Sequence, residues 1–109
     1  MCFFHYVAVV SCDFVGPQDQ TVLRDQSAVL KCRTSETAPL KWSKDGNEIF
    51  SGYDFRPELQ DRYSMIKNQQ GQYDLVIGKA DEETVGNYTC LQPRDLRNKT
   101  ARLMIGRHI

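Results

Sequence analysis

Four cysteines (Cys2, Cys12, Cys32 and Cys90), two histidines (His5 and His108) and two Asn-x-Thr triplets are the residues of this chain whose types and spacing could do chemistry. No two cysteines stand in a C-x-x-C, and only two imidazoles could join them, so no zinc centre or other metal site is predicted. Neither histidine lies near a plausible nucleophile, and the serines and aspartates are scattered over turns. No Ser-His-Asp array is therefore predicted, and the chain does not read as an enzyme. No Gly-rich phosphate loop occurs, and no cofactor is implied. What remains is thiol oxidation, whose pairing a count of four cysteines leaves open. N-linked glycosylation is the other chemistry, at Asn87-Tyr88-Thr89 and Asn98-Lys99-Thr100.

These residues are carried by short alternating runs. Residues 27–34 place Ala28, Leu30 and Cys32 on one side at period two. Residues 40–44 place Leu40 and Trp42 on one side, with Lys41 and Ser43 on the other. Lys44-Asp45-Gly46-Asn47 is a hairpin turn leading into a short strand at 48–50, since Asp-Gly is a strong hairpin signal. A long connection, 51–61, carries Tyr53 and Phe55, and 62–66 reads as the next strand. Asn68–Gly71 turns the chain into 72–77, where Tyr73, Leu75 and Ile77 alternate inward. Residues 80–85 cross over, and Asp81-Glu82-Glu83 suits the positive end of one helical turn. Two more strands follow at 86–92 and 98–105, the last with Ala101, Leu103 and Ile105 inward. At the other end, a first edge strand opens at Phe14, is broken by Pro17 and the polar 18–20, and resumes at 21–24. Short strands separated by turns predict an all-β sandwich.

A chain of 109 residues is one domain's worth. Fourteen basic residues balance fourteen acidic ones without a basic stripe, which argues against nucleic acid as a partner. No apolar run approaches the roughly 20 residues of a membrane-spanning helix. Residues 1–13 differ from the rest: they hold apolar and aromatic residues and two cysteines but no Lys or Arg. They read either as a short secretory leader or as an extra N-terminal strand. The domain proper is expected over 14–106, with 107–109 as a tail.

Cys32, Trp42 ten positions on, and then Gly86-Asn87-Tyr88-Thr89-Cys90 make the chain resemble the immunoglobulin superfamily, of the I-set or short V-set kind. The resemblance runs from about Phe14 to Ile105 and is supported by Leu75-x-Ile77-x-x-Ala80. It implies a two-sheet Greek-key sandwich with one inter-sheet disulfide, Cys32–Cys90, and Trp42 packed on it. Tyr88 would be the tyrosine corner, bonding back to upstream backbone, and Leu75 and Ile77 would be core. In the family's lettering the runs become B (27–34), C (40–44), C′ (48–50), D (62–66), E (72–77), F (86–92) and G (98–105). A bridge of that span is worth about 4 kcal/mol in the chain-entropy model and implies an oxidising compartment. Muscle immunoglobulin repeats keep the two thiols free, so an intracellular structural spacer stands as the alternative to an extracellular recognition module.

Several stretches resemble the first domain of irregular-chiasm/nephrin-type adhesion receptors: Pro17–Thr21, Lys41–Gly46, Asp61–Met65 and Tyr73–Ile77. Lys-Trp-Ser-Lys-Asp-Gly and Gly-Asn-Tyr-Thr-Cys also resemble basigin and neuroplastin domains. The family usually has Asp where Thr84 stands, pairing with an arginine at the start of strand D, here Arg62. Arg62 must then find Asp81, Glu82 or Glu83 or face water, and Thr84→Asp is expected to restore the pair. Strand G lacks the Phe-Gly-x-Gly bulge of antigen-receptor joining segments, which argues against antibody-like pairing.

The outward face of the C-C′-F-G sheet is the expected binding surface. By alternation it carries Lys41 and Ser43, Ile49 or Phe50, Thr89 and Leu91, and Arg102 and Met104. Lys41, Leu91, Arg102 and Met104 are expected at its centre, because apolar residues beside cations suit a protein partner. That partner could be another immunoglobulin-superfamily domain, the same or different. Asn87 points outward because Tyr88 points inward, and Asn98 lies near the F–G turn. Tyr53 and Phe55 either extend the face or pack the C′–D loop onto the core.

Overall fold

The structure, a computed structural model, describes residues 4–5, 8–9, 14–35 and 38–106. Cys2, Cys12, His108 and the 107–109 tail lie outside the described residues, and most of the leader reading of 1–13 does too. Two short strands, β1 (Phe4–His5) and β2 (Ala8–Val9), pair antiparallel.

The domain follows as ten strands: β3 (Phe14–Val15), β4 (Gln20–Leu23), β5 (Ala28–Leu30), β6 (Arg33–Thr34), β7 (Lys41–Lys44), β8 (Asn47–Phe50), β9 (Tyr63–Ile66), β10 (Asp74–Ile77), β11 (Gly86–Gln92) and β12 (Arg97–Gly106). One 3-10 turn, Pro57–Leu59, interrupts the connection before β9. A five-stranded sheet has the order β4-β12-β11-β7-β8, and a three-stranded sheet the order β5-β10-β9. β3 pairs with β6, while β4 runs parallel to β12, so the first edge strand changes sheets across Gly16–Asp19. Pro17 is buried at that crossing.

The two sheets are pinned by a disulfide between Cys32 and Cys90, with an S–S distance of 2.03 Å. Trp42 lies opposite Cys90 in the β7–β11 ladder, is fully buried, and donates its indole N–H to the carbonyl of Tyr73 at 2.9 Å. Leu30, Leu40, Leu75, Ile77 and Leu103 complete the solvent-free centre. Tyr88 donates its hydroxyl to the Thr84 carbonyl and shares a hydrogen bond with the Tyr63 hydroxyl at 2.9 Å. Burial pushes both phenols above the usual tyrosine range.

The run expected at 27–34 is split. Past the Leu30–Leu75 pair, the Cys32 N–H turns from the ladder to the buried Asp74 carboxylate at 3.1 Å. Asp74 also accepts from Gln72 Nε2 at 2.9 Å and from Arg33 at 3.3 Å. A buried carboxylate is tolerated only when so supplied with donors.

Phe50 requires a correction. It was expected as a candidate on the outward face, and it is 2 % exposed. The β7–β8 ladder shifts register between Trp42 and Ser43 and sets Phe50 opposite Trp42, so Phe50 and Ile49 are both buried. Directly opposed residues share a face, and Trp42 faces the core. The Phe50 ring packs 4.9 Å from that of Phe55. Phe55 therefore ties the long connection to the core, whereas Tyr53 is exposed. The same connection closes over the outer edge of β8: the Arg56 N–H reaches the Ile49 carbonyl at 3.1 Å, and Phe50 bridges to Phe55.

At the crossover, Asp81 accepts from the N–H groups of Glu83 and Thr84 at 2.9 and 3.1 Å and so caps a single turn. Arg62 pairs with Asp81 at 3.3 Å and Glu83 at 2.6 Å, two of the three partners expected for it. Thr84 is fully buried, and its hydroxyl accepts the Asp81 N–H at 2.8 Å.

Candidate functional site

The five-stranded sheet buries one face and presents the other. β11 is its central strand, with Tyr88, Cys90 and Gln92 buried and Asn87, Thr89 and Leu91 on the open side. Register then assigns the neighbours. Lys41 on β7 and Asn98 on β12 flank Leu91, and Ser43 and Thr100 flank Thr89. Arg102 lies opposite Asn87, Met104 lies beside Thr21 of β4, and Glu48 lies opposite Ser43.

The turn that joins β7 to β8 is built for close contact with β11. Asp45 and Gly46 both have positive φ, 49° and 87°, which is the two-residue type I′ hairpin expected of Asp-Gly. This aims the Asp45 carboxylate at the Asn87 N–H, 2.9 Å away, while the Asp45 N–H donates to the Asn87 carbonyl at 2.8 Å. The Asn87 N–H, helped by Lys44, holds the Asp45 carboxyl below its usual range. The start of β11, and with it Asn87, is thereby fixed against the hairpin.

Lys41, Ser43, Leu91, Arg102 and Met104 all lie on the open face, but they are not one cluster. Leu91 and Lys41 are a directly opposed pair at one end. Arg102 stands opposite Asn87, four positions along β11 from Leu91, or about 13 Å away at strand spacing. Between them lies a polar middle, where the Thr89 and Thr100 hydroxyls are 2.7 Å apart. Arg102 and Met104 instead line a groove of about 880 Å³ with Leu23, Val85 and Ile105, rimmed by the Arg24–Glu82 ion pair.

Charge on the face is also more balanced than the expectation of two apolar residues between two cations. Lys41 Nζ lies 3.7 Å from Glu48, and the Arg102 backbone N–H is taken by Asp19 at 2.8 Å. Glu48 could have been found from the alternation of 47–50 only with the register shift known. Asp19 carries no sequence signal, because its role depends on where the first strand changes sheets. Asn87 and Asn98 are both exposed on this face. Among the described residues, no group of three or more His, Cys, Asp or Glu gathers as a metal site. Among the described residues, no helix is long and apolar enough to cross a membrane.

With this geometry, the similarities to known proteins fall into place. The immunoglobulin I-set domain model matches residues 14–104. The Rst D1-D2 structure superposes with a TM-score of 0.66 at 25% identity, covering 85% of this chain and 48% of that one. Duf (Kirre) D1 gives 0.67 at 24% identity over 90% of this chain and 100% of that one. A chimeric titin Z1Z2-Z1Z2 tandem gives 0.70 at 22% identity, covering 87% of this chain and 49% of the tandem. The chain thus spans about half the length of the titin tandem and of Rst D1-D2. Disulfide, buried tryptophan, tyrosine corner and family match agree: this chain belongs to the immunoglobulin I-set family, which is generally non-enzymatic.

Proposed function

We propose that this chain is an extracellular recognition module that binds another immunoglobulin-like domain through the open face of its five-stranded sheet, with a second copy of itself as the first candidate. The observation that carries the reading is the row Lys41–Leu91–Asn98: a half-buried leucine on the central strand of the open face, toward one end, beside a cation and a polar neighbour. Such an apolar anchor within polar surroundings is how hot spots are built. The Cys32–Cys90 bridge supports an oxidising compartment. Likeness to Rst D1-D2 at 25% identity adds support for a cell-surface setting.

Mass in solution against concentration tests the reading, first for the chain alone and then mixed with other immunoglobulin-like domains. Leu91→Asp is expected to weaken association by about 1–2 kcal/mol or more while leaving the melting midpoint in place. A folded Leu91→Asp variant that associates as the parent does would remove this face from consideration. Mass under native and reducing conditions separates the secreted module from an intracellular spacer with free thiols.

A further inference from the structure

We propose that Asn87 and Asn98 are acceptors for N-linked oligosaccharide and that their occupancy closes the face on which partner binding depends; this rests on the reading of that face as the partner surface. Each triplet has its asparagine exposed and its threonine on the same outward side. The two are interlocked across the ladder: the acceptor-site hydroxyls of Thr89 and Thr100 hydrogen-bond to each other at 2.7 Å. Both asparagines therefore project from one sheet face.

Their positions fall on the residues a partner would need. Asn98 is directly opposite Leu91, and Asn87 directly opposite Arg102. Opposed side chains on a sheet are about 4.5–5.5 Å apart at Cβ, so a branched sugar on either asparagine stands over its neighbour. The two attachment points lie four strand positions apart, about 13 Å, at opposite ends of the polar middle. Glycans at both ends leave no stretch of the face as wide as a standard interface.

The folded geometry also sets when the reaction occurs. The Asn87 N–H and carbonyl are both held by Asp45, and β11 lies between β7 and β12. Strand F cannot bend into a transferase once docked, so transfer to Asn87 precedes folding. The co-reactant is an oligosaccharide linked to a lipid diphosphate. The asparagine Nδ2 bonds to the anomeric carbon as the carbon–oxygen bond to the diphosphate breaks. The lipid diphosphate leaves with the electron pair, and the amide proton passes to a base of the transferase.

The test is to secrete the whole chain from a eukaryotic host and compare its mass before and after peptide N-glycosidase. Loss of carbohydrate mass, with Asn87 and Asn98 converted to Asp, is expected. Thr100→Ser should retain the modification at Asn98 and Thr100→Val should abolish it. A secreted, folded chain carrying no carbohydrate at either position overturns the proposal. Self-association is then measured for the glycosylated chain and for the chain of unchanged sequence secreted without carbohydrate under an inhibitor of lipid-linked oligosaccharide synthesis, with melting midpoints as the check on folding. The bare chain is expected to associate at least about tenfold more tightly. Equal association of the two forms overturns the gate while leaving the partner face standing. A bare chain that stays monomeric and also binds none of the other immunoglobulin-like domains overturns both the partner face and its gate, whereas the mass readout still reports occupancy.

Discussion

The Asp45 carboxylate accepts the Asn87 N–H at 2.9 Å, and the Asp45 N–H returns a bond to the Asn87 carbonyl at 2.8 Å. A hairpin tip is thus clasped to the first turnless residues of the central strand. Gly86 makes the clasp feasible: a Cβ there would lie 2.6 Å from the carboxylate, and its φ is +147°. Gly86→Ala is expected to destabilise by about 1–3 kcal/mol, measured by denaturant melts. Asp45→Ala should lower stability too. Because the folded-state pKa of Asp45 lies below the unfolded one, the clasp is fully present at neutral pH and is lost as pH falls through the depressed value. The gap between parent and Asp45→Ala should therefore narrow in acid; a constant gap would contradict it.

Removing the indole should be costly. Trp42 is fully buried opposite the disulfide, with its N–H bonded to Tyr73. Trp42→Ala is expected to cost about 3–5 kcal/mol, as large aromatic truncations do. An unchanged midpoint in a thermal melt would place the indole outside the core.

Thr84→Asp should not stabilise, contrary to what the family's usual Asp suggests. Arg62 already has Asp81 and Glu83, and the Thr84 site is solvent-free beside Asp81. The substitution buries a second carboxylate there, and a fall in melting midpoint is expected. A rise would mean that Arg62 swings to the new partner.

Tyr63 and Tyr88 should stay protonated through the range where exposed tyrosines ionise. Their folded pKa values are raised, chiefly by burial, so the unfolded chain loses protons first as pH climbs past about 10. Stability is expected to be complete below that point and to fall above it. Phenolate absorbance from Tyr63 and Tyr88 should appear in a late phase that coincides with unfolding. A single early phase would refute this.

Much of the fold was legible because period two and turn chemistry are local. β11 spans 86–92 as expected and Asp45-Gly46 makes its turn, whereas alternation did not separate Phe55, which joins the core, from Tyr53, which is exposed. What was not legible depends on pairing. Phe50 turns inward because of a register shift in the β7–β8 ladder, which no residue on β8 announces. Asp74 alternates with Tyr73 and Leu75 and would read as outward, yet it is buried to receive the Cys32 N–H where strand B breaks. Gln92 continues the inward set of Tyr88 and Cys90, but its polarity hides this until Thr34 and Asp95 are seen to satisfy its amide. Alternation put Lys41, Leu91, Arg102 and Met104 on one side, unlike Phe50, but could not give their rows, and so joined Leu91 to Arg102 across about 13 Å.

The closure of the loop over β8 bears on how the molecule behaves in a crowded solution. The outer rim of the large sheet is occupied where the Ile49 carbonyl meets Arg56 and Phe50 meets Phe55, and Glu48 adds a charge beside them. A foreign strand seeking to extend the sheet would have to peel that loop away and unpack the Phe50–Phe55 rings first. Open-ended stacking into fibrils is therefore disfavoured along the β8 edge.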